Sequence, residues 1–111
     1  MKNNKNFLEN IPCHNTCITW LQDQDGLVTL KIKNRGLANF MAQKLLKKPT
    51  LSYVHLDEFG SFIWTHIDGK SNLINIGKQL KERFGDKAEP VYERMTQYVQ
   101  TLKTNKFITI N

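Results

Sequence analysis

The chain of 111 residues carries 16 Lys and Arg against 10 Asp and Glu, a net charge of +6, and is 40% hydrophobic. That composition suffices for one compact core, so a single domain, 1–111, is expected. No run of roughly 18 or more apolar residues occurs, which excludes a membrane-spanning helix.

The opening Met1-Lys2-Asn3-Asn4-Lys5-Asn6 is polar, and Phe7 to Pro12 is too short and too charged for the apolar part of a secretory signal, so the cytoplasm is the expected compartment. Cys13 and Cys17 would remain thiols there. Cys13-His14-Asn15-Thr16-Cys17 gathers two thiols and an imidazole, as a zinc site does. Structural zinc usually takes four protein ligands, commonly in two pairs, and no second Cys or His pair follows. No metal or other cofactor is therefore expected, and free thiols near a strand are the plainer reading.

Ile18 and Trp20 alternate with polar neighbours, Asp25-Gly26 offers a tight turn, and Val28, Leu30 and Ile32 alternate with Thr29, Lys31 and Lys33. This pattern predicts a β-hairpin with one apolar face. Arg35 to Lys48 then reads as an amphipathic helix, with Leu37, Phe40, Met41, Leu45 and Leu46 on one side and mostly polar residues opposite, ended by Pro49. Leu51 to Leu56 has the alternation and the β-branched and aromatic content of a third strand.

Three helices follow. Asp57 is placed to cap the first, which carries Phe59, Phe62, Ile63, His66 and Ile67 at three-and-four spacing and stops at Asp68-Gly69. Ser71 is expected to cap the second, whose stripe is Leu73, Ile76, Gly77, Leu80 and Phe84, with Gly85 just past its end. Pro90 suits a first helical turn, and Val91, Met95, Tyr98, Val99 and Leu102 give the buried face of the third. Phe107 to Ile110 closes the pattern as an apolar strand or extended tail.

The residues do not assemble a catalytic site. His14, His55 and His66 fall in no recognisable motif with either cysteine, and His66 lies on the apolar stripe of its helix, where a core-edge role suits it. Asp57 and Glu58 are adjacent at a helix start, so they point apart and favour the positive end of the helix dipole over paired acid–base work. No enzyme is expected. The positive charge is local: from Gly26 to Leu56 there is no Asp or Glu, while Lys31, Lys33, Arg35, Lys44, Lys47 and Lys48 fall there. Such a segment suits an anionic partner, although a merely solvated face would look the same.

Leu56-Asp57-Glu58-Phe59-Gly60-Ser61-Phe62-Ile63-Trp64, Ile67-Asp68-Gly69-Lys70, Ile76-Gly77, Glu82-Arg83-Phe84-Gly85 and Thr104-Asn105-Lys106-Phe107-Ile108 resemble the PqqD family. The resemblance covers roughly the C-terminal half closely. It implies an α+β winged-helix fold, an N-terminal three-stranded antiparallel sheet followed by a three-helix bundle, here with the extra amphipathic helix inserted between strands 2 and 3. It also implies a non-catalytic module that holds the leader of a ribosomally made precursor peptide for a modifying enzyme, often a radical S-adenosylmethionine enzyme. The insert at 35–48 departs from compact relatives and leaves the pathway open between pyrroloquinoline quinone (PQQ) synthesis and another ribosomal peptide.

The edge of a three-stranded sheet can accept an extended peptide as a further strand, the main chain giving affinity and the side chains selectivity. The Tyr53 strand is the natural edge, and the resemblance implies that the peptide lies between it and the third helix. Ser52, Tyr53, Val54 and His55 are then the ladder, with Met95, Tyr98, Thr101 and Leu102 the candidates on the helix. Met95 and Leu102 have the spacing of core residues, and Tyr98 fits a core edge with a wet hydroxyl. Lys44, Lys47 and Lys48 are candidates for docking the enzyme or an acidic leader. An outer strand could also pair with a second copy of the chain. Nucleic acid is the rival partner for a basic winged helix, but the third helix and its approach mix Asp86, Lys87, Glu89, Glu93, Arg94 and Lys103 to near neutrality, unlike a base-reading helix.

Overall fold

The computed structural model describes residues 4–34 and 50–111. They form an α+β structure with four α-helices and two antiparallel sheets, divided between two compact units, residues 16–57 and residues 1–15 with 58–111. The expected helical insert at 35–48, with Lys44, Lys47 and Lys48, lies outside the described residues.

The unit 16–57 is a three-stranded sheet of β2 (Thr19–Gln22), β3 (Val28–Asn34) and β4 (Thr50–His55), in that spatial order. β3 is central. The predicted hairpin turn forms, and Asp23 organises it: its carboxylate accepts the backbone N–H of Asp25 at 2.9 Å and of Leu27 at 3.0 Å. Gly26 takes φ +85°, a left-handed conformation that a side chain would strain. Register then sorts the side chains. Trp20, Leu30 and Val54 lie directly across from one another, as do Gln22 and Val28, so the expected apolar face is the one on which Val28 and Leu30 are buried. The opposite face carries Thr19, Lys31 and Tyr53 in one row and Leu21, Thr29 and His55 in the next.

The second unit holds α1 (Asn4–Glu9), β1 (Pro12–His14), α2 (Glu58–His66), α3 (Leu73–Phe84), α4 (Val91–Thr104) and β5 (Ile108–Ile110). Ile63, Trp64, Ile67, Leu73, Ile76, Leu80, Val91, Met95, Val99 and Leu102 are buried within it; all but Trp64 belong to the stripes that three-and-four spacing predicted, whereas Phe59, Phe62, His66, Phe84 and Tyr98 of those stripes are only half-buried. Burial of such side chains contributes about 1.5–3 kcal/mol each, which is why the stripes decide the packing. β1 and β5 pair antiparallel, Pro12 with Ile110 and His14 with Ile108, and Ile11 and Asn111 exchange two backbone bonds at 3.0 Å beside them. Phe107–Ile110 was legible as a strand or tail; its partner at Pro12–His14 was not anticipated, nor was α1.

Two caps differ from expectation. Asn72, not Ser71, caps α3, its side-chain oxygen accepting the Asn75 N–H at 3.0 Å. Ser71 is held instead in a turn organised by Asp68, which accepts the backbone N–H of Lys70 and of Ser71, each at 2.8 Å. Pro90 stands one residue before α4 with extended backbone (φ −79°, ψ 112°), and its carbonyl accepts the Arg94 N–H at 3.0 Å. It is therefore the cap position and not part of the first turn, and its bond from Glu89 is cis.

Candidate functional site

β4 is an outer strand of the described sheet, and it carries four of the candidate residues. Strand geometry sends Tyr53 and His55 to one face and Ser52 and Val54 to the other. Tyr53 is 53% exposed and His55 is exposed as well, whereas Val54 and Ser52 are half-buried. His55 does not hang free: its Nδ1 lies 3.0 Å from the hydroxyl of Thr29, its direct partner across β3. That bond fixes the ring plane over the sheet. Lys31, counted in the sequence only as part of a basic stretch, sits directly across from Tyr53, and Leu21, 59% exposed, shares a row with Thr29 and His55. Their face follows from the alternation, but the row each shares follows from register, which the alternation alone leaves open in steps of two residues.

The helical candidates belong to the other unit. Met95 is fully buried and Leu102 is 4% exposed, so both serve the core of their helix and offer no surface. Tyr98 is half-buried and packs edge-on to Phe59, ring centroids 6.5 Å apart, above Gly60, where a Cβ would overlap its hydroxyl. Gly60 thus makes the seat for Tyr98. Thr101 is exposed, in a row with Gln97, Gln100 and Thr104, and its hydroxyl donates to the Gln97 carbonyl at 3.0 Å. Around Phe59 an aromatic cluster forms that the sequence did not single out: Phe84 and Phe62 are 5.7 Å apart, Arg94 lies 4.2 Å over Phe59, and Arg83 lies 5.0 Å over Phe84.

The three imidazoles are each engaged locally. His14 stacks on Trp64 and His66 on Phe62, each at 3.9 Å between centroids, and both have a ring nitrogen 2.8 Å from a backbone carbonyl, of Trp64 and of Phe62 respectively. Burial outweighs that carbonyl at His14 and holds its pKa below the ordinary histidine value. Asp68 is held below the ordinary carboxylate value by the two amides it accepts. Cys13 is half-buried, with the Asn111 amide 3.6 Å from its sulfur, and Cys17 is exposed. Among the described residues no three His, Cys, Asp or Glu are grouped to hold a metal ion, and no helix is long and apolar enough to cross a membrane.

The family model described as coenzyme PQQ synthesis protein D (PqqD) matches residues 44–108, more than half of the chain. The chain belongs to the PqqD family. The matched span takes in β4, the helices α2, α3 and α4, and the first residue of β5, so it includes every peptide-binding candidate named above. Neither the curated proteins nor the solved structures gave a match. The strands β2 and β3 lie upstream of the matched span.

Proposed function

We propose that this chain is a non-catalytic winged-helix module, one domain over 1–111, that captures the leader of a ribosomally synthesised precursor peptide and presents it to a modifying enzyme. The leader adds to the outer edge of β4 as a further strand. The observation that carries this reading is the pairing of PqqD membership with an antiparallel sheet in which β4, inside the matched span, is an outer strand. A strand edge offers N–H and C=O groups at a spacing any extended peptide satisfies, so affinity comes from the main chain and selectivity from the flanking side chains. Within Ser52 to His55, Tyr53 and His55 supply the ladder, because the Leu56 N–H bonds to Val28 and the alternate residues Val54 and Ser52 likewise turn their backbone groups to β3. Tyr98 and Thr101 offer a second contact surface on α4, which Met95 and Leu102 support from the core. Lys44, Lys47 and Lys48 dock the enzyme, with a radical S-adenosylmethionine enzyme the class favoured by the family.

Titrating the isotope-labelled chain with a synthetic leader, taken from a precursor encoded beside its gene, tests the reading. Amide shifts are expected at Ser52 to His55 and around Tyr98 to Thr101. Shifts confined to residues 35–48 would remove the strand from the proposal. Micromolar binding to random duplex DNA near physiological salt, with no affinity for the leader, would replace it with nucleic-acid binding.

A further inference from the structure

The face of the sheet that carries Tyr53 and His55 has a chemistry of its own. Its rows hold Thr19, Lys31 and Tyr53, then Leu21, Thr29 and His55, with no acidic residue among them. Any strand added at the outer edge of β4 places alternate side chains on this face, one beside Tyr53 and one beside His55, two residues apart. The ring of Tyr53 is more than half exposed and flat enough to take an apolar neighbour. His55 has Nδ1 tied to Thr29 at 3.0 Å, which leaves Nε2 as the ring nitrogen for an incoming group. Lys31 stands one strand further back, about 10 Å from an added strand at two strand spacings, which is about one Debye length at 0.1 M salt and slightly more than one at physiological salt. Within these two rows the ionisable groups nearest the added strand include a donor-capable imidazole and a cation, and neither row holds a carboxylate.

We infer that Tyr53 and His55 select the peptide through this open face: it carries an aromatic or β-branched residue beside Tyr53 and, two residues away, an Asp or Glu beside His55. The inference rests on strand addition at β4 and adds the side-chain pattern. Cross-strand neighbours act whether the added strand runs parallel or antiparallel, so direction reverses the order of the two residues and keeps their spacing. Lys31 acts through its field, and its share of the preference weakens with salt.

The test uses defined probes and the full chain. Acetylated, amidated octapeptides of alternating Thr and Ser carry one Tyr and one Glu two residues apart, in both orders, and a matched set replaces Glu by Gln or Lys, or Tyr by Ser. Titrated into labelled protein, one order of the Tyr and Glu peptide is expected to shift the amides of Ser52 to His55, and its Lys counterpart to bind roughly fivefold more weakly. His55→Ala and His55→Gln should reduce that preference, Lys31→Gln should reduce its salt dependence, and Tyr53→Ser should remove the preference for Tyr over Ser. Circular dichroism confirms that each variant is folded. Equal binding of the Glu and Lys peptides at β4, or a preference untouched by both His55 variants, overturns the inference and leaves strand addition standing. Peptides that shift only amides outside β4, or none, overturn strand addition as well.

Discussion

His14 lies nearly parallel to Trp64, ring centroids 3.9 Å apart and planes 11° from one another, while its Nε2 sits 2.8 Å from the Trp64 carbonyl oxygen. One residue thus holds another by both ring and backbone, and β1 is fastened to the end of α2. Burial disfavours the imidazolium here, so the folded protein binds its proton less readily than the unfolded chain does. The sign follows: the contribution is fully present above the unfolded value, near pH 6.5, and is lost as pH falls through the window between the unfolded and the depressed folded pKa. Urea unfolding at stepped pH should show stability declining from about pH 7 towards pH 5. His14→Phe keeps the stack, should cost about 1 kcal/mol for the lost hydrogen bond, and should flatten that decline. An unchanged slope would assign it to another group.

Asn72 caps α3, so Asn72→Ala should cost about 1 kcal/mol in chemical denaturation. Ser71→Ala, one residue earlier, should change stability by less than half as much, because Ser71 bonds to Asp68 in an exposed turn. The reverse ranking would restore Ser71 as the cap.

Arg94 lies over Phe59 and its Nη1 donates to the Lys87 carbonyl at 2.9 Å, joining α4 to α2 and to the turn before it. Arg94→Ala should lower stability by about 1–2 kcal/mol, from the ring contact and the hydrogen bond together. Arg94→Lys should recover only part of this, since an ammonium cannot lie flat on the ring while donating sideways. Thermal unfolding of the three proteins decides it.

For the proposed strand addition, Tyr53→Pro removes an N–H that the alternation of the ladder turns to the outer edge and should abolish leader binding, provided circular dichroism shows the sheet intact. Changing Lys44, Lys47 and Lys48 together to Gln should weaken enzyme binding and flatten its salt dependence while leaving the fold unchanged. Unchanged affinity in that triple variant would return those lysines to an ordinary solvated face.

The helices from Glu58 to Thr104 were legible because their stripes are long, and a run of apolar residues at three-and-four spacing admits few other readings. β3 and β4 were legible for the matching reason at period 2. Pro12–His14 escaped because three residues, Pro, Cys and His, are too few to show a period, and what makes them a strand is a partner at the far end of the sequence. The exposed face of the sheet was half legible. Tyr53 and His55 were candidates, but their company with Lys31 and Leu21 depends on register. On α4 the family resemblance made Met95 and Leu102 candidates while their helical spacing marked them as core, and their burial bears out the spacing.

The pairing of β1 with β5 also bears on the order in which the molecule forms on the ribosome. Cys13 and Asn111, whose side chains meet, are 98 positions apart, whereas Thr29 and His55 are 26 apart. The sheet of β2, β3 and β4 needs only a contiguous stretch of nascent chain, while the unit containing β1 must wait until β5 has left the exit tunnel. Closing the longer loop carries the larger entropic cost and comes later. An arrested nascent chain ending near residue 100 is therefore expected to hold the hairpin and its third strand with Pro12–His14 still without its partner strand.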